Sequence, residues 1–382
     1  MRSHGSPPPT HVAEIPTPAI VVDVAVMERN IQRMAAFFAS GSCRLRPHFK
    51  AHKTPEIARR QLAAGSCAGL TCATVSEAEI AADFCRGILI ANEIAGRSKA
   101  DRVASLARRI EIVVAVDSTA GLEEIDAAAL RADTRIGVLV DVNVGQNRCG
   151  VPPGEAAVDL ARRVASARGV VFRGVMGYEG HLVSVPDRPE REARTRQAMG
   201  DLVATALMLQ NAGLHCDTVS AGGTGTYDIS GRIDGITEIQ AGSYVLMDSD
   251  YGRLDVPFEQ AFWVLGTVIS RPTAARCVAD CGHKSTTKDH GHPVVRGIDG
   301  AVVTSLNDEH ATITVPADCR LQVGDRVYLR PSHTDPTINL HDVLYAVEGE
   351  RVVDVWPIAA RGYPEHRDAV SGFSRTGREK AG

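Results

Sequence analysis

The sequence lacks the features that place a protein in a membrane or on a nucleic acid. It has no apolar run near the roughly 18 residues that a membrane-spanning helix needs. Its first ten residues are polar and proline-rich, without the apolar segment of a signal peptide, and we expect a disordered arm there. Acidic residues number 46 and basic residues 42. This balance argues against a nucleic-acid partner and against a strongly anionic membrane surface.

Paired cysteines are also missing. The number of cysteines, nine, is odd, and no two of them form a Cys-x-x-Cys pair. Together with the lack of a secretory signal, this usage predicts a reduced, cytoplasmic protein whose thiols are small core residues. Cys277 and Cys281 lie four residues apart, which leaves a thiol metal site open as an alternative.

What the sequence does contain is a long alternation of strand and helix patterns. Helical patterns include residues 55–62, a segment with the capping-box pattern Ser76-Glu77-Ala78-Glu79, and the long segment 189–212 that ends at Gly213. Apolar, β-branched runs between the helices predict eight strands, at residues 45–49, 69–73, 88–91, 112–116, 138–142, 171–177, 218–221 and 238–241. This alternation predicts an α/β fold, a (β/α)8 TIM-like barrel over residues 27–256.

The pattern changes after residue 257, where helical periodicity disappears. Turn residues such as Asn307-Asp308 separate short apolar runs. These runs predict strands at residues 262–270, 276–279, 294–296, 301–305, 311–315, 326–329 and 352–357. We therefore predict a β-rich domain over residues 257–382. Residues 17–24, ahead of a first helix at 27–38, also have a strand pattern.

The most informative stretch is Arg46-Pro47-His48-Phe49-Lys50-Ala51-His52-Lys53, at the end of the first predicted barrel strand. Barrel active sites lie at the carboxyl ends of the strands, so Lys50 is expected to face a cavity. A shielded lysine among cationic groups loses its proton more easily and becomes a nucleophile that can form a Schiff base. A basic surface loop is the alternative.

Other predicted strand ends also carry polar residues. The loop Gly222-Gly223-Thr224-Gly225-Thr226 follows the seventh strand, where backbone N–H groups and hydroxyls can converge on a phosphate; a plain turn is the alternative. His181, after the sixth strand, suits an acid or base near neutral pH, or a structural histidine. The remaining candidates at strand ends are Arg148, Tyr178, Gln240 and Tyr244.

A second cluster lies in the predicted β domain, within Pro331-Ser332-His333-Thr334-Asp335-Pro336. His333 and Asp335 are two residues apart, so in an extended chain both side chains point the same way. An imidazole and a carboxylate suit a divalent ion such as Mn²⁺, Mg²⁺ or Zn²⁺. The pair is nonspecific when taken by itself.

These segments together resemble one enzyme family. The lysine segment resembles the cofactor-lysine segment of the fold-type III pyridoxal-phosphate enzymes, in the D-threonine aldolase and D-serine dehydratase branch of the alanine racemase superfamily. The glycine loop, the segment Gly177-Tyr178-Glu179-Gly180-His181 and the segment 331–340 also resemble the family, in its order. The resemblance runs from about residue 16 to residue 357.

The resemblance implies a fold and a set of site residues. The fold is alanine racemase-like, with a strand from residues 12–26 joining the C-terminal β domain, and the expected assembly is a homodimer. Catalysis is assigned to Lys50 and to His181 as the base, with a metal-bound hydroxide as the alternative base, and metal binding is assigned to His333 and Asp335. The residues expected at pyridoxal 5'-phosphate are Lys50, His48, Arg148, Tyr178, Gly222, Gly223, Thr224, Gln240 and Tyr244. Gln240 stands where alanine racemases carry an arginine, which argues against racemase chemistry.

The implied activity is metal-dependent retro-aldol cleavage of a D-3-hydroxy amino acid. D-threonine would give glycine and acetaldehyde, and D-3-hydroxyaspartate would give glycine and glyoxylate. Asp335 favours the aldolases because D-serine dehydratases carry cysteine at that position, and Mn²⁺ or Mg²⁺ is expected ahead of Zn²⁺. One alternative is a dehydratase of D-serine or 3-hydroxyaspartate. Another is a non-catalytic pyridoxal-phosphate carrier, against which the extra β domain and its metal pair argue.

Overall fold

The computed structural model of the chain describes residues 8–363 and divides into two compact units. The β unit comprises residues 8–31, 245–253 and 257–361, and the barrel unit comprises residues 32–244, 254–256 and 362–363. Residues 1–7 of the predicted arm lie outside the described residues, as does the predicted β-domain segment after residue 363. The domain boundaries expected at residues 27 and 257 stay predictions.

The barrel unit contains the eight predicted parallel strands. The first strand of the chain, β1 (Ala19–Asp23), belongs to the β unit. The barrel strands are β2 Arg44–Leu45, β3 Leu70–Cys72, β4 Gly87–Glu93, β5 Glu111–Val116, β6 Ile136–Asp141, β7 Val170–Gly177, β8 Thr218–Ala221 and β9 Glu238–Ile239. The sheet order is β3-β4-β5-β6-β7-β8-β9-β2, and isolated parallel bridges from Leu45 to Cys67 and from His48 to Thr71 join its two ends. The predicted barrel fold is confirmed.

The interior of the barrel is filled by side chains from successive strands. Leu89, Ala115, Leu139 and Met176, one each from β4 to β7, form one cluster of buried residues. Interdigitated apolar side chains of this kind make a barrel a packed core, so the polar chemistry is confined to the strand ends.

One helix precedes the first barrel strand, and the others lie between successive barrel strands. They are α1 Val24–Phe37, α2 Pro55–Ala63, α3 Val75–Ala81, α4 Arg97–Ala107, α5 Thr119–Arg131, α6 Glu155–Ser166, α7 Arg188–Asn211 and α8 Tyr227–Ser230. The long α7 ends before Gly213, which has the positive φ of 79° that favours glycine at this position. No helix in residues 8–363 combines the length and apolar character that crossing a membrane demands.

The predicted cap of α3 is wrong by two residues. Thr74, not Ser76, is the N-cap: its hydroxyl accepts a hydrogen bond from the N–H of Glu77 at 3.2 Å. The Glu77 carboxylate in turn accepts from the N–H of Ala73 at 2.6 Å. Thr74 is extended, with φ −137° and ψ 159°, as an N-cap must be, whereas Ser76 already lies in the first helical turn.

The β unit is a mixed sheet system. Its other strands are β10 Phe262–Thr273, β11 Arg276–Ala279, β12 Val294–Val295, β13 Val302–Leu306, β14 Ala311–Thr314, β15 Arg326–Arg330, β16 Val343–Glu348 and β17 Arg351–Pro357. Strand β16, which was not predicted, pairs in parallel with β1, while β10 pairs with β1 in the antiparallel sense. Cys277 and Cys281 lie in the hydrophobic core of this unit.

A short helix, α9 (Thr334–Ile338), corrects the argument for the His333 and Asp335 pair. His333 is the N-cap residue and Asp335 lies in the first turn, so the two side chains are not arranged as in an extended chain. Pro336 is tolerated because the N–H groups of the first helical turn have no intrahelical acceptor, so the missing N–H of proline costs no hydrogen bond there. A carboxylate in the first turn is also favoured by the helix dipole.

Candidate active site

The lysine segment leaves the barrel earlier than its apolar pattern predicts. β2 ends at Leu45, and residues Phe49–Ala51 form a 3-10 turn, so Lys50 lies on a turn and not at the end of a strand. The N–H of His48 donates to the carbonyl of Ala241 at 3.0 Å, which fixes the segment next to the chain after β9. A Cβ atom on Gly242 would lie 2.9 Å from the His48 carbonyl oxygen, so only glycine permits this approach.

A buried hydrogen-bond chain supports the turn. The N–H of Thr54 donates to Nδ1 of His52 at 3.1 Å, and Nε2 of His52 lies 3.0 Å from Oε1 of Gln61. Because Nδ1 accepts, Nε2 must carry the proton that bonds to Gln61. The Gln61 amide donates to the hydroxyl of Tyr244 at 2.9 Å, and Tyr244 is fully buried. The Tyr244 hydroxyl is therefore one end of the hydrogen-bond chain that supports the turn.

Both lysines of the segment act on the buried carboxyl of Glu77. Nζ of Lys53 lies 3.4 Å from that carboxylate, and burial raises the Glu77 pKa while the charges of Lys53 and Lys50 lower it. Burial lowers the pKa of His48 well below its ordinary value, and the charges of Lys50 and Arg148 lower it further. The His48 imidazole is therefore neutral, and it lies near the charged side chains of Lys50 and Arg148.

The predicted residues after the fifth, sixth and seventh barrel strands meet one another. The guanidinium carbon of Arg148 lies 5.7 Å from the centre of the Tyr178 ring. That ring packs on Gly223, where an added Cβ would lie 3.3 Å from it. His181 packs on Gly145, with ring atoms 3.1 Å from where a Cβ would be, and burial lowers its pKa below the ordinary value. His181 is therefore neutral at neutral pH.

The glycine loop directs two of its N–H groups inward. The N–H of Gly222 donates to Glu179 at 3.1 Å, and the N–H of Gly223 donates to the hydroxyl of Thr226 at 3.2 Å. The hydroxyl of Thr224 accepts from the N–H of Tyr244 at 3.0 Å, which leaves its hydrogen to donate. Within residues 8–363, the buried N–H groups of Thr224 and Gly225 bond to no protein acceptor.

Glu179 is a site residue that the sequence analysis overlooked. It is fully buried and accepts three hydrogen bonds, from Gly222, from the hydroxyl of Thr226 at 2.8 Å and from the hydroxyl of Ser230 at 2.6 Å. Its position between Tyr178 and Gly180, inside a segment already assigned to the site, was the feature of the sequence that could have indicated it. One carboxylate therefore fixes both ends of the loop. On the other side, Gln240 donates to the hydroxyl of Ser220 at 2.8 Å.

We expect Glu179→Ala to weaken binding of the phosphate-bearing cofactor by at least about tenfold, since hydrogen bonds to a charged group contribute about 1.5–3 kcal/mol each. The variant leaves three buried donors without their acceptor. Ser230→Ala removes one of the three bonds and should cause a smaller loss. Titration of the cofactor-free variants with pyridoxal phosphate, followed by absorbance, measures the effect. Equal affinity in wild type and folded Glu179→Ala would contradict it.

A second group of acids occupies the ends of β4 to β6. Glu93, Asp117 and Cys149 have ligand atoms within 4.8 Å of one another, and Asp141 is only 6% exposed beside them. Burial raises the pKa of Asp141 to about 8, and the carboxylate of Glu93 adds to the rise. The folded protein therefore keeps a proton on this group that the unfolded chain releases at lower pH.

This proton predicts a pH dependence of stability. Between the unfolded pKa of about 4 and the folded pKa, stability falls as pH rises, by at most about 1.4 kcal/mol per unit. Asp141→Asn removes the effect, so the melting temperature of this variant should exceed that of wild type increasingly from about pH 5 to about pH 8. Asp83→Asn, whose carboxylate side chain is 71% exposed, is the control. A constant difference across this range would refute the assignment.

The β unit surrounds His333 with two residues that were not predicted. Nδ1 of His333 lies 2.6 Å from a carboxylate oxygen of Asp289, and the ring stacks on His290 at 4.4 Å between centroids. Asp289, His290 and His333 have ligand atoms within 4.8 Å of one another; Asp335 is not a member of this group. No local pattern predicts this grouping, because Asp289 and His333 are 44 positions apart.

The backbone at His333 is held firmly. The buried carboxylate of Asp248 accepts from the N–H and the hydroxyl of Thr334, at 2.9 and 3.0 Å. The hydroxyl of Thr337 donates to the carbonyl of His333 at 2.8 Å. These bonds fix the start of α9, so His333 is placed by the fold and not by a mobile loop.

Comparison with known proteins agrees with this architecture. The family model described as "Alanine racemase, N-terminal domain" matches residues 22–250, and a serine dehydratase domain model matches residues 261–347. D-threonine aldolase from Arthrobacter sp is 40% identical over 373 residues, which cover 95% of this chain and 98% of that protein. 3-Hydroxy-D-aspartate aldolase from Paracoccus denitrificans (strain Pd 1222) is 34% identical, with coverages of 92% and 93%.

A solved structure gives the same result. The crystal structure of D-threonine aldolase from Filomicrobium marinum superimposes with a TM-score of 0.91 at 39% identity, over 94% of this chain and 99% of that chain. Its barrel and β-rich parts therefore both have counterparts here. The chain belongs to the alanine racemase N-terminal domain family and, within it, to the family of D-threonine aldolase and 3-hydroxy-D-aspartate aldolase.

Proposed function

We propose that this protein is a pyridoxal-phosphate-dependent lyase that cleaves D-3-hydroxy amino acids into glycine and an aldehyde. The single observation that carries the proposal is the convergence, in the barrel unit, of Lys50 with Arg148, Tyr178 and a loop of unpaired buried donors. The names of the two aldolase relatives support the same reaction. In it, the substrate hydroxyl loses a proton, the Cα–Cβ bond breaks, and Cα gains a proton.

The loop fits the phosphate of the cofactor. Buried N–H groups without an acceptor are costly, so those of Thr224 and Gly225, with the Thr224 hydroxyl, suit a buried anion. Gly222 contributes through its conformation, since its φ is +79° and its own N–H is bound to Glu179. Gly223 contributes by allowing close approach, because its N–H is also engaged.

The remaining barrel residues are assigned by their contacts. Lys50 would bind the cofactor covalently, because it is the lysine that the family resemblance assigns and because it lies with Arg148 near His48. Arg148 and Tyr178 would border the ring, with the neutral His48 near Arg148 and with Gln240 directly after β9. Tyr244 would act through the support of the turn, as its hydroxyl is engaged with Gln61.

The chemistry is divided between the cofactor and the protein. When bound, pyridoxal phosphate supplies the electron sink for the broken bond. The protein supplies orientation and proton transfer. His181 is our choice for the base because its lowered pKa leaves an acceptor nitrogen at neutral pH.

We propose a divalent metal at His333 and Asp335 as well. The donor set fits, because imidazole and carboxylate groups suit Mn²⁺ or Mg²⁺ and both residues lie at the start of α9. A metal there would lower the pKa of a substrate hydroxyl. Asp335, where dehydratases carry cysteine, favours aldol cleavage over loss of water.

Stereospecific turnover tests the proposed substrate class. Purified protein with pyridoxal phosphate and Mn²⁺ should release glycine from D-threonine or D-3-hydroxyaspartate and not from L-threonine. The ratio of kcat/KM for the two D substrates then identifies the preferred side chain. Release of glycine from L-threonine at an equal rate would refute the D preference.

We propose a homodimer on the basis of the family resemblance. Light scattering should give twice the 40.7 kDa of one chain. A monomer at assay concentrations would refute it.

A further inference from the structure

We propose that Asp289 and His290 are positioning residues that orient His333 for metal binding. The inference rests on the proposed metal role of His333. Neither residue carries a local motif, and both reach His333 only in the folded β unit. Together they restrain the imidazole in two different directions.

Asp289 fixes the ring within its own plane. Its carboxylate lies 2.6 Å from Nδ1 of His333, and a carboxylate can only accept, so Nδ1 carries the proton. The other ring nitrogen, Nε2, then keeps its lone pair for a cation. A carboxylate behind a ligand histidine fixes the tautomer and the orientation and raises the basicity of the ligand.

His290 restrains the tilt of the His333 ring plane. Its ring lies nearly parallel to that of His333, with an interplanar angle of 9° and 4.4 Å between centroids. Nδ1 of His290 is 3.3 Å from Asp250, a residue that is 8% exposed at its side chain and also pairs with Arg253. The stacked ring is therefore itself anchored, and His333 cannot tilt away from it without losing that contact.

Mn²⁺ affinity, measured by electron paramagnetic resonance on the pyridoxal-phosphate-loaded protein, tests the inference without using activity. We expect Asp289→Asn to weaken Mn²⁺ binding by about 10–100-fold. His290→Ala should weaken it by less than about tenfold, since it removes only a ring contact. Glu309→Gln, which removes another exposed carboxylate of the β unit, should leave the affinity unchanged.

A double-mutant cycle separates positioning from direct ligation. If Asp289 acts through His333, Asp289→Asn should cause no further loss in the His333→Ala background. A further loss there would make Asp289 a metal ligand and overturn the positioning role. Unchanged affinity in Asp289→Asn would also overturn it. If His333→Ala itself leaves Mn²⁺ affinity unchanged, the proposed metal site fails instead, and the two failures are thereby distinguished.

Discussion

Lys50→Ala should abolish both covalent cofactor attachment and turnover. In the proposed function the amine of Lys50, which lies with Arg148 near the neutral His48, is the nucleophile, and alanine offers no substitute. Purified wild-type protein should show the visible absorption band of lysine-bound pyridoxal phosphate, and the variant should lack it. Loss of activity should reach several orders of magnitude, as expected when covalent chemistry is removed.

The matched control is Lys53→Ala. Lys53 lies three residues away and pairs with Glu77, so its loss should perturb the segment while the absorption band is kept. Borohydride reduction followed by peptide mapping identifies the attached lysine directly. Cofactor fixed to Lys53 would show that the assignment is wrong.

Asp335→Ala should abolish tight metal binding and turnover but not cofactor attachment. Loss of a residue that only supports a metal ligand costs about 10–100-fold in affinity, and loss of a ligand should cost more. The Lys50 band should persist, because Lys50 belongs to the barrel unit and Asp335 to the β unit. Mn²⁺ titration of the variant and its absorption spectrum measure the two effects separately.

Chelation provides the control for that variant. A chelator should reproduce the loss of turnover in wild type, and added Mn²⁺ should restore activity in wild type but not in Asp335→Ala. Full activity of a metal-free preparation would contradict the metal role and remove the main argument for aldol cleavage.

The barrel was predictable because its strands are apolar, β-branched runs of adequate length between helical patterns. The cap of α3 was not, since Thr74 and Ser76 are both capping residues with an acid three positions later, at Glu77 and Glu79. Only the extended backbone of Thr74 decides between two equivalent patterns. The five-residue helix α9 contains a proline and two threonines, so no helical periodicity announced it.

The candidate residues could be picked from the sequence, but their supports could not. Lys50, Tyr178 and the glycine loop belong to contiguous segments that follow apolar runs, and their roles stay predictions. Glu179 reaches Ser230 across 51 positions, and Asp289 reaches His333 across 44. Such contacts are set by packing and leave no periodic or local pattern in the sequence.

Identification of the products formed from D-threonine tests the central claim most directly. Protein saturated with pyridoxal phosphate and Mn²⁺ is incubated with D-threonine, and glycine, acetaldehyde, ammonia and 2-oxo acid are quantified in one reaction. The account predicts glycine and acetaldehyde in equal amounts and no ammonia. A 2-oxo acid and ammonia in equal amounts, without glycine, would contradict it and identify a dehydratase.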